Sequence, residues 1–342
     1  IHMKKIIIIL ILLLLVVAVY AEKIAELEEL MKPQIIDMSN NNLYVSEGSS
    51  IYIYSLKDFS LIKKFGKEGE GPREFKVNPF GPPMIIAVIG DKLYVSSDAK
   101  LSTFTLEGEF LSERKVPPLR IFIPVKDKFI ASGTAQGDDK KMYLNMGLYD
   151  KDLNLIKELY RSDMTIGPNF NWVFPNTDFS SIPYRDHIYV VIGKAGFAID
   201  VFNLQGKKVQ SIKKEYQPLK VPGDYKDKIL KWFKTNPNFK QFYEFFIQRI
   251  SFKDHFPPIR SMLVESNRIY TLTYKQKKGL TELIIMDLKG KELKHKYIPL
   301  VGIPGNLFDF PIFVIKNQSF YTLIENEDEE IWELHKVNLK KN

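Results

Sequence analysis

Apolar and polar residues alternate in short runs along most of the chain, which is the period of half-buried β-strands and not of helices. One unit recurs six times: Asn42-Leu43-Tyr44-Val45, Lys92-Leu93-Tyr94-Val95, Lys128-Phe129-Ile130-Ala131, His187-Ile188-Tyr189-Val190, Arg268-Ile269-Tyr270-Thr271 and Ser319-Phe320-Tyr321-Thr322. An apolar run precedes each copy, at Ile35 to Met38, Met84 to Val88, Leu119 to Val125, Ile182 to Tyr184, Ile259 to Val264 and Pro311 to Ile315. A second alternating run follows each, at Ile51 to Tyr54, Leu101 to Thr105, Met146 to Tyr149, Phe197 to Asn203, Leu283 to Asp287 and Ile331 to Val337. Gly108, Gly206 and Gly290 then stand in polar links before further strands at Phe110, Val209 and Leu293. A glycine there supplies the positive φ of a tight hairpin.

Four short antiparallel strands, repeated six times, predict an all-β fold: a six-bladed β-propeller formed as one domain by residues 22–342. The repeats start 50, 36, 59, 81 and 51 residues apart, so the loops vary. An irregular pair of β-sandwiches is the competing architecture, but sandwich spacing does not run through either half. The last unit lacks an outer strand, which leads to the expectation that residues between Glu22 and Gln34 reach the sixth blade. Ile24, Leu27, Leu30 and Met31 are also spaced as one face of a short helix.

Between blades four and five the alternation stops. Tyr225, Ile229, Trp232 and Phe233, then Phe239, Phe242, Tyr243, Phe246 and Ile250, follow helical spacing across Asn236-Pro237-Asn238. This predicts a helical insertion of two amphipathic helices over residues 222–256, placed at a channel mouth as a plug or a lid. A second aromatic insertion, Ile166 to Tyr184, contains Asn171 and Trp172.

The N-terminus sets the expected address. Lys4 and Lys5 precede an apolar run of 15 residues, Ile6 to Tyr20, and Val19 and Ala21 are the small residues before charged Glu22. This order predicts a signal peptide over residues 3–21, cleaved after Ala21, with an uncleaved membrane anchor as the alternative; the run is short for a span of roughly 20 residues. The product is expected to be secreted or periplasmic. Cysteine is absent, which excludes disulfides, thiolate catalysis and thiolate metal sites. The net charge of +8 comes from lysines spread over turns, so nucleic acid is not an expected partner.

The segment Phe65-Gly66-Lys67-Glu68-Gly69-Glu70-Gly71-Pro72-Arg73-Glu74-Phe75, followed by Leu93-Tyr94-Val95-Ser96, resembles the blade junction of the bacterial six-bladed β-propeller family related to NHL repeats. The likeness runs from about Ile35 to Leu339. Where that family commonly has glycine after the proline, this chain has Arg73. The resemblance implies an exported scaffold and little chemistry.

Candidate ligand-binding residues are Arg120, Arg260, Trp172 and Asn171. Pro117-Pro118-Leu119-Arg120 and Pro257-Pro258-Ile259-Arg260 open inner strands alike, so the two guanidinium groups could converge across the channel on one anion. The other reading turns them sideways onto acids such as Asp98 or Glu265. Trp172 and Asn171 offer a stacking face and an amide for a sugar or peptide, or else hold their own loop down. Four histidines of the exported part, His187, His255, His295 and His335, show no metal spacing, and Asp138-Asp139 and Glu327 to Glu330 read as solvated turns. No catalytic residue, metal or cofactor is expected. The favoured function is non-enzymatic binding or scaffolding by a monomer, with a small molecule, glycan or protein as partner, an anionic sugar or peptide among them. The alternative is a metal-dependent, lactonase-like hydrolase or lyase.

Overall fold

A computed structural model describes residues 21–76, 83–118, 120–163, 171–175, 179–237, 239–300 and 312–340. The apolar run Ile6 to Tyr20 lies outside them; among the described residues no helix is long and apolar enough to cross a membrane. Strand β1 (Glu22–Leu27) comes first. Blade one is β2 (Ile35–Met38), β3 (Asn42–Glu47), β4 (Ser50–Ser55) and β5 (Leu61–Phe65), followed by the short pair β6 (Lys67–Glu68) and β7 (Glu74–Phe75). Blade two is β8 (Ile85–Ile89), β9 (Lys92–Ser97), β10 (Lys100–Thr105) and β11 (Phe110–Lys115). Blade three is β12 (Arg120–Val125), β13 (Lys128–Gln136), β14 (Met142–Tyr149) and β15 (Leu155–Asp163), and β16 (Trp172–Phe174) follows in the link. Blade four is β17 (Phe179–Tyr184), β18 (His187–Ile192), β19 (Phe197–Asn203) and β20 (Lys208–Lys214). After it come α1 (Gly223–Thr235), α2 (Tyr243–Ile247) and β21 (Ile250–Phe252). Blade five is β22 (Ser261–Glu265), β23 (Arg268–Lys277), β24 (Leu280–Asp287) and β25 (Glu292–Ile298); β26 (Phe313–Lys316), β27 (Ser319–Asn326) and β28 (Ile331–Asn338) begin blade six.

The inner strands touch in the order β2, β8, β12, β17, β22, β26 and back to β2, so the six blades form a closed ring. Blade six completes its sheet with β1, which pairs antiparallel with β28, Leu27 opposite Trp332. The expected closure by the N-terminal segment is therefore present, as a strand and not as a helix. Leu27 and Leu30 are fully buried, and Met31 is exposed but fixed by its backbone. Its N–H donates to Glu47 and its carbonyl accepts from the Trp332 indole at 3.1 Å.

Every gap between neighbouring blades holds its own apolar cluster. Leu43, Tyr52 and Trp332 belong to the gap between blades six and one, Phe75, Phe104 and Ile86 to that between one and two, and Met146, Ile188 and Phe202 to that between three and four. Ile199, Ile269 and Met286 fill the gap between four and five, and Leu283, Phe320 and Val337 that between five and six. Each fully buried side chain of this size contributes about 1.5–3 kcal/mol. The glycine turns serve these gaps twice over. Gly108, Gly206 and Gly290 have φ of 78°, 73° and 90°. Each also lies flat on the preceding blade: a Cβ on Gly290 would meet Ile212 at 2.4 Å, and one on Gly206 would meet Lys157 at 2.6 Å.

The junction Phe65 to Phe75 is wrapped around the half-buried ammonium of Lys100. Lys100 Nζ donates to the carbonyls of Glu70, Gly71 and Glu74 at 3.0, 2.8 and 3.0 Å and pairs with Glu113 at 3.2 Å. Gly66 is needed for its φ of 92° and because a Cβ would lie 2.5 Å from the Ser49 carbonyl. Arg73, standing where the resembling family has glycine, takes φ 64°, a left-handed conformation that disfavours side chains.

One inner-strand position breaks the apolar rule. Opposite the third residue of the six tetrapeptides stand Asp37, Ala87, Ile123, Ile182, Leu263 and Val314. Asp37 ties blade one to blade two by accepting from the Val88 N–H at 2.6 Å, and it also accepts from its neighbour Met38 N–H at 2.7 Å. The residue as a whole is half-buried. Burial pushes its pKa up to about 6, against the two hydrogen bonds and the charge of Lys316. A carboxyl that holds its proton more tightly folded than unfolded loses stability as pH rises from about 4 through about 6. Asp37→Asn mimics the protonated acid. In urea titrations the stability difference between wild type and this variant is expected to move in the variant's favour by at most about 3 kcal/mol over that window. A constant difference from pH 4 to 7 would show that the carboxylate is comfortable where it lies.

Candidate functional site

In each blade the strands run outward from the channel and alternate in direction. Links from one blade to the next and the turns between second and third strands therefore share one rim. Both insertions leave the ring on that rim. The link after β15 and the link after β20 meet there, because β16 and β21 pair in parallel, Trp172 opposite Ile250 and Phe174 opposite Phe252. Asn171 closes the junction through its amide, which donates to Ser251 Oγ at 2.8 Å. The second expected helix is thus corrected. Only residues 243–247 form α2, after a 3-10 turn at 240–242, and the chain then turns into a strand because Trp172 to Phe174 offer an edge to pair with.

The helix α1 begins after Pro222, with Asp224 in its first turn and Lys234 in its last, as the helix dipole favours. It buries Ile229 and Phe233 against Phe174 and Phe239. Trp172 lies inside this body, stacked on Phe246 at 5.3 Å with the planes 4° apart and tilted on Phe233 at 5.0 Å. Its ring contacts are with the protein's own Phe233, Phe239 and Phe246. Trp172 and Asn171 therefore stand where they hold two links together. The body's solvent side shows Phe242, Phe245 and Val173, with the Arg249 guanidinium 3.8 Å above the Phe245 ring.

Arg120 and Arg260 occupy equivalent positions at that rim. Arg120 opens β12 opposite Gly133, and the Arg260 N–H donates to the Leu272 carbonyl just before β22. Strand parity decides where the side chains go. Arg120 shares a sheet face with Phe122, Ala131 and Tyr149, which pack on Leu101 of blade two. Arg260 shares a face with Met262 and Val264, which pack on blade four. The arginines lie in different gaps, so the expected convergence on one anion across the channel is corrected. Arg120 is buried, its guanidinium 5.4 Å from the centre of the Tyr149 ring and its Nη1 donating to the Thr134 carbonyl at 3.2 Å. Arg260 is half-buried, 5.6 Å from the centre of the Tyr274 ring. Neither forms the expected pair with Glu265, whose Oε1 accepts from Ser266 and Asn317.

Two further polar clusters escaped the sequence. Glu282, 3% exposed, accepts from Thr273 at 2.7 Å and Tyr216 at 3.0 Å, and it pairs with His295 at 3.0 Å. His295 reads as part of a lysine-rich turn but lies in β25, and its partner is remote in the alternation. Glu26, Glu329 and Glu333 converge on the outer edge at the ring closure, with oxygens within 4.8 Å of one another. Lys23 bonds Glu26 and Glu333, Asn326 bonds Glu329 and Glu333, and His335 bonds Glu333.

A family model described as 6-bladed beta-propeller matches residues 26–245. No curated protein matches the sequence. Similar solved structures include the WD40 domain of Neurospora crassa Pan2, at 7% identity and TM-score 0.45, covering 90% of this chain and 89% of that one. A luciferin-regenerating enzyme aligns at 10% identity and TM-score 0.45, covering 93% and 95%. A protein of unknown function from Bacteroides caccae aligns at 10% identity and TM-score 0.42, covering 79% and 83%.

If Trp172 is a structural pin and not a ligand platform, Trp172→Ala frees both insertions while the ring stays folded. The cavity is expected to cost the insertion about 3–5 kcal/mol of local stability. Limited proteolysis should then cut on both sides of the β16–β21 pair, near Phe174 and near Phe252, while the circular dichroism of the strands is unchanged. Unaltered protection at both places would contradict the pin.

Proposed function

Because the chain belongs to the 6-bladed beta-propeller family, we propose that it is an exported, non-enzymatic binding propeller whose working face is the rim carrying the helical insertion. The observation that carries this reading is the union of two links, distant in sequence, into one aromatic body on that rim through the β16–β21 pair. All six gaps are packed without this body. Ordering some thirty residues there opposes folding by roughly 1–2 kcal/mol per residue before contacts are counted, which ring stability alone does not require.

The ligand class we assign is an anionic sugar or a peptide terminus. Between Gly223 and Arg249 the insertion carries six basic residues against three acidic ones, and the buried Arg120 opens its strand at the same rim. A hydrolase or lyase working through a metal in the channel has less support. Among the described residues the group of three carboxylates close enough to share an ion, Glu26, Glu329 and Glu333, sits on the ring's outer edge in contact with Lys23, Asn326 and His335. Export rests on the order of charged, apolar and small residues from Lys4 to Ala21.

Calorimetry with the full exported chain tests the assignment. Uronic-acid oligosaccharides and short peptides with free carboxyl termini are expected to bind at least about tenfold more tightly than neutral sugars and amidated peptides, and to be recovered unchanged. Equal affinity for charged and neutral probes, or conversion of a probe, would overturn it.

A further inference from the structure

We propose that the gap between blades two and three contains a subsite for a single carboxylate, read side-on by Arg120. This rests on the rim being the binding face. Of the Arg120 donors, Nη1 is taken by the Thr134 carbonyl, while Nε and Nη2 are buried and have no hydrogen-bond partner among the described residues. The residue is 8% exposed, and a guanidinium does not discharge its burial by losing a proton. Nε and Nη2 together form one edge of the guanidinium, the edge that receives both oxygens of a carboxylate in a parallel pair of bonds.

The same blade shows what that edge takes. Arg161 presents its Nε and Nη2 to Glu158 at 2.8 and 2.9 Å. That pairing occupies a carboxylate whose charge is influenced by Arg120. Glu158 also accepts from the Asn145 amide at 3.0 Å. Burial works against its charge, but the bonds from Arg161 and Asn145, with the charges of Arg161 and Arg120, hold its pKa below the usual carboxylate range. The carboxylate is thus already engaged, and Arg120 acts on it only at a distance.

Comparison with blade five isolates the missing charge. Asn145 stands three residues before Leu148, the partner of Ile130; Glu282 stands three residues before Ile285, the partner of Tyr270. Where the gap between blades four and five has a buried carboxylate in the row of its arginine, the gap between two and three has a neutral amide, whose Oδ1 is buried without a hydrogen-bond partner among the described residues. Two glycines stand in this face of the sheet, and the Leu155 and Tyr149 side chains fill the space above the second. Gly133 lies directly opposite Arg120, and the Tyr149 ring leans over Gly147, 3.0 Å from where a Cβ would be. Its apolar cluster among the described residues is also the smallest of the six, with five buried members. One buried positive charge with one free fork matches one carboxylate better than a phosphate, whose second charge would find no counterpart.

Thermal unfolding of the full exported chain, at constant ionic strength, is followed with acetate, inorganic phosphate and chloride as probes. Acetate is expected to raise the midpoint saturably in wild type, with the effect lost in Arg120→Gln and reduced at least about tenfold in apparent affinity in Arg120→Lys, which keeps the charge without the fork. If either variant fails to fold, a high-resolution crystal structure of wild type grown in acetate decides alone, with acetate oxygens on Nε and Nη2 expected. Water on both nitrogens there, a preference for phosphate, or acetate stabilisation that persists in both variants would overturn the subsite and leave the binding rim standing. No response to acetate, together with no binding of uronic-acid or peptide probes, would overturn both.

Discussion

Blade-to-blade burial is the constraint on which everything else in this molecule depends. A four-stranded sheet has two faces, and each must be covered by the neighbouring sheet; six clusters of buried side chains, one per gap, do this. No blade can be satisfied without its two neighbours, and the ring must close. The chain closes it by lending β1 to the sheet of blade six, so that Leu27 from one end packs with Trp332 and Leu334 from the other. The glycines of the outer turns follow from the same demand, since a Cβ at Gly290 or Gly206 would push neighbouring blades apart.

Polar side chains inside the gaps stand out against this background. Asp37 and Lys100 connect adjacent blades or wrap a junction, and their partners are backbone groups as well as side chains. Glu282 is held by Thr273, Tyr216 and His295. Among the described residues Arg120 differs from these in having a whole guanidinium edge without a hydrogen-bond partner, in the gap with the fewest buried apolar side chains. A buried polar group with unmet donors is where folding physics leaves room for function.

The fold was legible because its signals are local. Alternation marks strands, and the tetrapeptides around Leu43, Leu93, Phe129, Ile188, Ile269 and Phe320 mark the second strand of each blade, so six units could be counted without contacts. The need for a borrowed outer strand followed from counting as well. What sequence could not show depends on parity and pairing. Arg120 and Arg260 share a Pro-Pro-apolar opening, yet one residue of strand phase decides which of the two flanking gaps each side chain enters, and the core partners Phe122 and Met262 reveal it. Ile250 continues a helical pattern but becomes a strand because Trp172, far earlier in the chain, supplies its edge. The Glu282 and His295 pair is hidden in the same way, since the two side chains lie on adjacent strands and carry no sequence signature.

Repeat architectures can open unit by unit, whereas a ring sealed by β1 has no free end. Native-state hydrogen exchange read by mass spectrometry separates the two. Slow amides of β3, β9, β13, β18, β23 and β27, and those of β1 and β28, are expected to exchange through one global opening with a common free energy. Exchange of β1 and blade six at several kcal/mol below the other five blades would contradict the closed ring as the unit of stability.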